Sequence, residues 1–204
     1  MKDVILIDAG TGNLRSVQKA LESLGANVAR TDDPSRVLTG EKVVLPGVGA
    51  FGEFMSGLRA RGLGKAVQDI AQRHIPLLGI CVGMQALFEA GEEMGEHAGL
   101  GLLPGKVTRF AETLPVKVPH TGWNQVEVQQ REPLFCKVQP GAYVYFNHSY
   151  YCQPGNPSDL AAWTTHGIPY ACAVQRRNVF GVQFHPEKSQ TVGLQILKNF
   201  LEME

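Results

Sequence analysis

Residues Gly79-Ile80-Cys81-Val82-Gly83 place a thiol between two glycines, in the form G-x-C-x-G. This is the thiol counterpart of the nucleophile elbow, where a strand turns sharply into a helix and the residue at the turn is pushed outward. The flanks fit, since Pro76–Ile80 reads as a buried strand and Val82–Ala90 as a helix. A thiol at a helix N-terminus meets the positive end of the helix dipole, which favours thiolate. The pentapeptide fits a buried structural cysteine equally well, so the chemistry needs a base. Of the six histidines (His74, His97, His120, His148, His166 and His185), His185 has a distinct context. It ends the strand-like run Val182-Gln183-Phe184 and is followed by Pro186 and Glu187. On an extended segment, residues i and i+2 leave on the same side, so Glu187 is placed to orient an imidazolium. Cys81, His185 and Glu187 are therefore candidate nucleophile, base and orienting carboxylate.

A thiol attacking a carbonyl also needs donors for the developing oxyanion. Pro46-Gly47-Val48-Gly49 follows a strand ending at Leu45, and its glycines let backbone N–H groups at Val48 and Gly49 face a ligand. The N–H of Val82, directly after the thiol, is the expected second donor. Gln85 lies one helical turn beyond Cys81 on the same face, within reach of a polar substrate. An ordinary Gly-Pro turn and a solvated glutamine are the plainer readings of these segments taken singly. A phosphate-binding loop is excluded, because no GK[ST] follows the glycines.

The elements that must hold these residues alternate in type through the first half. Strands are expected at Val4–Asp8, Val28–Thr31, Lys42–Leu45 and Pro76–Ile80. Helices are expected at Leu14–Leu24, Phe51–Arg61, Lys65–Arg73 and Val82–Ala90. Leu14, Val17, Leu21 and Leu24 give helical spacing, with Asn13 as cap and Gly25 as stop. Such alternation predicts βαβ units and a parallel sheet. After about residue 104 strands dominate: Lys106–Phe110, Gln125–Gln129, Ala142–Phe146, Leu160–Thr164, Tyr170–Gln175 and Val179–Phe184. A last helix spans about Thr191–Leu201, with Ser189 as a candidate cap. The expected fold is α/β, a mostly parallel central sheet flanked by helices with added antiparallel strands in the C-terminal half. One domain, 1–204, is expected.

Composition narrows the partners. The 204 residues are 44% hydrophobic and 19% charged, enough apolar material for a sizeable core. Lys+Arg and Asp+Glu are 19 each, so the chain lacks the basic excess expected of a nucleic-acid binder. Its longest strongly apolar run, near Pro76–Cys81, falls far short of the roughly 20 residues that span a bilayer. The start, Met1-Lys2-Asp3-Val4, lacks the features of a secretory leader. The four cysteines form no CxxC or Cys/His cluster, so no metal site is expected and reduced thiols in a cytosol are the default.

Taken together, PGVG (46–49), GICVGMQ (79–85) and GVQFHPE (181–187) resemble the class I, triad-type glutamine amidotransferases. DAGTGNLRSV (8–17), PHTGWN (119–124), FNHSY (146–150) and FHPEKSQ (184–190) resemble one branch of it, the glutaminase subunits of imidazole glycerol phosphate synthases. The likeness runs from the first strand to the last helix. Ala9 departs from the branch, which usually carries an aromatic residue there.

The resemblance implies a function and a set of roles. Cys81 would attack the carboxamide of glutamine, His185 would serve as base and then acid, and Glu187 would orient His185. By position, Gly49, Val82, Gln85, Glu93, Ser149 and Tyr150 would hold glutamine. Asn13, Pro119, His120, Trp123 and Lys188 fall in the branch segments and would face the partner, with Lys188 placed to relay its binding. That partner would be a (β/α)8-barrel synthase subunit in a heterodimer. It would use the ammonia to make imidazole glycerol phosphate and aminoimidazole carboxamide ribotide in histidine biosynthesis. No cofactor is implied, and the setting is cytoplasmic. Two alternatives stay open here: the glutaminase of another ammonia-using synthase, and a non-catalytic regulatory subunit of the same fold.

Overall fold

Short apolar runs form strands and amphipathic stretches form helices throughout the first half. The computed structural model describes residues 2–203. The elements there are β1 (Lys2–Ile7), α1 (Leu14–Ser23), β2 (Ala26–Thr31), α2 (Pro34–Val37) and β3 (Val43–Gly47). They continue with α3 (Phe51–Ala60), α4 (Leu63–Gln72), β4 (Leu77–Cys81) and α5 (Val82–Gln85). Helix α1 buries Leu14, Val17, Ala20 and Leu21, the face its spacing predicts. Each fully buried Leu or Val there contributes about 1.5–3 kcal/mol. Gly25 follows the helix at φ +84°, the left-handed stop that glycine adopts without strain. Asn13 occupies the cap position, yet its side chain accepts from the Ser16 hydroxyl (2.9 Å) and not from a helix N–H.

The expected helix over Val82–Ala90 is corrected. It ends at Gln85, and Phe88–Gly91 is a strand, β5. Val82, Met84, Ala86, Leu87 and Phe88 are all buried, so no polar face remains for a surface helix. The chain turns at Leu87, whose carbonyl accepts from the N–H groups of Leu102 and Leu103, and β5 enters the sheet.

Beyond it lie β6 (His97–Ala98), β7 (Leu103–Arg109), β8 (His120–Gln125), β9 (Glu127–Val128) and β10 (Tyr143–His148). β11 (Tyr150–Pro154), β12 (Leu160–His166), β13 (Ile168–Arg176), β14 (Val179–Val182) and α6 (Gln190–Glu202) complete the chain. The expected strand at Gln125–Gln129 is broken at Val126, dividing β8 from β9. The strand expected to reach Phe184 ends at Val182.

The large sheet runs β2-β1-β3-β4-β14-β13-β11-β7-β5-β6, with β12 and β9 attached at β13. Its first five strands are parallel neighbours. From β13 onward antiparallel pairing takes over, apart from the parallel pair β5 and β7. β8 and β10 form a separate two-stranded ribbon, with Trp123 opposite Tyr145 and His120 opposite His148. Because β3, β4 and β14 are parallel neighbours, their carboxyl ends share one edge. That edge is where open α/β sheets place their ligands. The register sets Gly47 beside Cys81 and Val182 beside Ile80.

Candidate active site

The thiol stands on a strained backbone. Cys81 has φ +54° and ψ −112°, outside the regions an L-residue favours. Such a conformation costs on the order of 1–3 kcal/mol and persists only where its surroundings enforce it. The two elbow glycines supply that enforcement. A Cβ on Gly83 would lie 1.8 Å from the Leu45 carbonyl oxygen, and one on Gly79 would lie 2.6 Å from the Gly83 carbonyl oxygen. Only bare backbone lets α5 approach β3 and β4 this closely. The helix is a single turn, so its dipole is a small source of positive potential. The larger source is His185.

His185 Nδ1 lies 3.0 Å from Glu187 Oε1, and both side chains are buried. Burial opposes a charge on the imidazole. The nearby Cys81 sulfur and the hydrogen-bonded Glu187 carboxylate favour the protonated ring, outweigh burial and push the His185 pKa up to about 10. The second carboxylate oxygen of Glu187 is buried without a partner, which leaves His185 as the cation that balances it. The loop carrying His185 is held from below. Its N–H donates to the Tyr145 carbonyl (2.9 Å), and the Ser189 hydroxyl donates to the His185 carbonyl (2.7 Å). Ser189 Oγ also accepts from the Tyr145 N–H (3.0 Å). Ser189 thus clamps the loop to β10 and makes no side-chain cap for α6.

A cavity of about 290 Å³ opens on the thiol. Val48, Gly49, Cys81, Val82, Gln85 and His185 line it, together with Glu93, Pro119, Asn147, His148, Ser149, Tyr150 and Lys188. Gly49 sits at φ +91°, a conformation glycine adopts freely. The Glu93 carboxylate accepts from the Phe51 N–H (2.6 Å) and so ties the start of α3, just beyond the 46–49 segment, to the cavity wall. A buried free thiol, a charged imidazole and a polar cleft of this size suit covalent attack on a small amide or ester.

The family model for glutamine amidotransferase class-I matches residues 5–203. The chain belongs to the class-I glutamine amidotransferases. It is 49% identical to the imidazole glycerol phosphate synthase subunit HisH of Moorella thermoacetica over 203 residues, 100% of this chain and 96% of that protein. It is 50% identical to the same-named subunit of Salinibacter ruber over 200 residues, covering 96% and 92% of the two chains. Among solved structures it superposes on PurLQS of Thermotoga maritima with TM-score 0.77 (18% identity, 98% and 97% coverage). It also superposes on a glutamine amidotransferase with TM-score 0.75 (22% identity, 97% of each chain). These two likenesses bear on the fold alone.

Other residues expected to serve the amidotransferase fall in different places. Gln85 lines the cavity, but its amide nitrogen already donates to the Tyr150 carbonyl (3.0 Å) and to Gln183 Oε1 (3.1 Å). Its carbonyl oxygen is what remains for a ligand. Trp123 is 46% exposed, edge-on to Tyr145 with centroids 6.1 Å apart, and Lys188 Nζ lies 5.7 Å from the centre of the same tyrosine ring. Asn13 lies at the start of α1, and the cavity lining does not include it. His120, expected at a surface, is only 4% exposed. Its ring stacks on Phe146 and His166, and its Nδ1 bonds the Tyr170 hydroxyl at 2.8 Å. Burial and the neighbouring His166 hold the His120 pKa down at about 4.

Three contributors escape the sequence reading: Gln183 at the thiol, Ser189 in the clamp, and the pair His148–Tyr170, of which His148 lines the cavity and Tyr170 supports it from behind. For Gln183 a signal existed. It stands two residues before His185, so an extended chain sends both side chains to one side. The Ser189–Tyr145 and His148–Tyr170 bonds join residues far apart in sequence, and no local pattern carries them.

Proposed function

We propose that this chain hydrolyses glutamine through Cys81, His185 and Glu187 and passes the ammonia to a synthase subunit of histidine biosynthesis. The observation that carries this reading is the His185 imidazole, bonded to Glu187 and lining the same cavity as the thiol of the elbow. The near-full-length likeness to HisH subunits points to the same partner. Cys81 Sγ attacks the side-chain amide carbon of glutamine, and the carbonyl oxygen takes the negative charge. The Val82 N–H and the Val48–Gly49 segment are the donors assigned to that oxyanion. The His185 imidazolium gives a proton to the amide nitrogen, the C–N bond breaks, and ammonia leaves a γ-glutamyl thioester. His185, now neutral, takes a proton from water as that water attacks the thioester. Glutamate and the thiolate–imidazolium pair result.

Glutamine is held by Gly49, Gln85, Glu93, Ser149 and Tyr150 in this scheme. The partner-facing residues are Asn13, Pro119, Trp123 and Lys188; His120 supports the ribbon from inside. The partner is a (β/α)8-barrel subunit in a heterodimer, its products are imidazole glycerol phosphate and aminoimidazole carboxamide ribotide, and the setting is cytoplasmic. Residues 1–204 act as one amidotransferase domain. Gly49 gives the oxyanion loop freedom to turn its amide, so occupancy of the partner's site can govern the donor. Loss of one such donor costs about 10²–10³ in rate.

The deciding experiment measures glutamate release with and without the barrel subunit and its nucleotide ligand. Strong stimulation that disappears in Cys81→Ala is the expected result. Equal turnover by the isolated chain would overturn the partner gating.

A further inference from the structure

The buried amides behind the thiol are arranged with a single direction. Gln183 Nε2 lies 3.7 Å from Cys81 Sγ, within N–H···S range, and the Gln183 side chain is fully buried. Which end of this amide meets the sulfur is settled by its neighbours. The Tyr150 carbonyl can only accept, so the Gln85 nitrogen faces it at 3.0 Å. The same nitrogen lies 3.1 Å from Gln183 on its oxygen side. The Gln183 nitrogen is therefore left for the sulfur. The Tyr150 carbonyl is itself fixed from a second direction by His148 Nδ1 at 2.8 Å, which must carry the proton. His148 Nε2 then accepts from the Tyr170 hydroxyl (3.0 Å), whose oxygen accepts from His120 Nδ1 (2.8 Å). His120 Nε2 faces the Asn124 amide nitrogen at 3.3 Å, and that nitrogen also donates to the Thr165 carbonyl at 2.8 Å. The proton assignments agree from both ends of the chain.

We infer that Gln183 is a further catalytic residue, whose fixed amide N–H stabilises negative charge on Cys81 sulfur. The sulfur bears that charge twice, before it attacks and again when the thioester is cleaved and the thiolate departs. A donor already aimed and buried requires no reorganisation at either moment. The thioester sulfur, less charged, gains less from the bond, so the donor favours its departure. The inference rests on Cys81 being the nucleophile proposed above.

The test is the rate of Cys81 alkylation by iodoacetamide across pH in the full-length chain, compared with Gln183→Met and Gln183→Glu. Methionine keeps the shape and removes the donor; glutamate sets a carboxylate against the sulfur. About a tenfold slower alkylation at pH 7 in the Met variant is expected. Its pH midpoint moves upward, with a larger effect for Glu. In glutamine hydrolysis with the partner bound, kcat falls by a similar factor and KM for glutamine stays near its original value. In the unaltered chain, the Gln183 side-chain amide signal in an NMR spectrum shifts when Cys81 is alkylated. An unmoved alkylation profile in correctly folded variants, or an unmoved amide signal, overturns the inference. A glutamine-analogue electrophile that fails to label Cys81 in the unaltered chain would instead overturn the nucleophile assignment itself.

Discussion

His185 carries its charge where burial alone would forbid one. Two partners hold the proton, and each leaves a distinct mark on titration. With the pKa near 10, the alkaline limb of kcat/KM is expected well above the ordinary histidine value of 6.5. Glu187→Gln keeps an oxygen near Nδ1 but removes the compensating charge. That limb then moves to lower pH and kcat/KM falls about 10²-fold or more, as steady-state kinetics across pH will show. Stability follows the same sign. A raised folded-state pKa means that the contribution of His185 is complete below pH 6.5 and is lost as pH rises through about 10. The other thiols contrast with this site. Burial pushes Cys152 and Cys172 up, and a hydrogen bond to Glu132 followed by burial raises Cys136. Iodoacetamide at neutral pH is therefore expected to modify Cys81 first, as peptide mapping would reveal.

The elbow depends on a contact between elements in which side chains have no place. Gly83→Ala would drive a methyl group onto the Leu45 carbonyl on β3, where backbone is the obstacle and cannot rotate aside. A loss of about 3 kcal/mol or more is expected, read as a lowered urea midpoint, together with loss of glutaminase activity. Gly49→Ala is a useful contrast. A Cβ there meets open space, but φ +91° penalises it, so the expected loss is of oxyanion stabilisation more than of fold. Much of this was legible locally. Gly-x-Cys-x-Gly announced the turn, the 3.6-residue spacing of α1 announced its buried face, and His185 and Glu187 were separated by two residues at a strand end. The failures have physical causes. Phe88–Gly91 extends an apolar helix-like run, and it is a strand because it pairs with β6 and β7, with Phe88 and Gly91 buried and Glu89 exposed. His120–Asn124 contains glycine and polar residues, a weak strand signal, and is held as β8 by pairing with β10 some twenty residues away. Ser189 reads as a cap because the partner that makes it a clamp, the Tyr145 N–H, lies in a distant part of the sequence.

Across the whole molecule, acid and alkali act through different histidines. Burial holds His148 at about 3 and His120 at about 4, so both stay neutral in the folded chain well below pH 6.5. The unfolded chain binds those protons near pH 6.5 and the folded chain refuses them. Stability is thus intact above 6.5 and declines as pH falls towards 4. For His148 alone the slope approaches about 1.4 kcal/mol per pH unit. His148→Asn, which retains a donor without titrating, is expected to flatten the decline in urea midpoint between pH 6.5 and 4. The neutral cluster sits where the ribbon of β8 and β10 meets the large sheet, and the two share no backbone ladder. Amide exchange in the ribbon should accordingly be faster than in β3, β4 and β14.

That separation has a mechanical meaning. Cys81 ends β4 in the middle of the sheet, whereas His185, three residues beyond β14, is also bonded to the ribbon through Tyr145 and Ser189. A shift of the ribbon would therefore be passed to His185 through those bonds, while the ribbon shares no rung with the strand that carries Cys81. The ribbon's outer face, with Trp123 and Tyr143 exposed, can thus change its side chains while the elbow keeps its form.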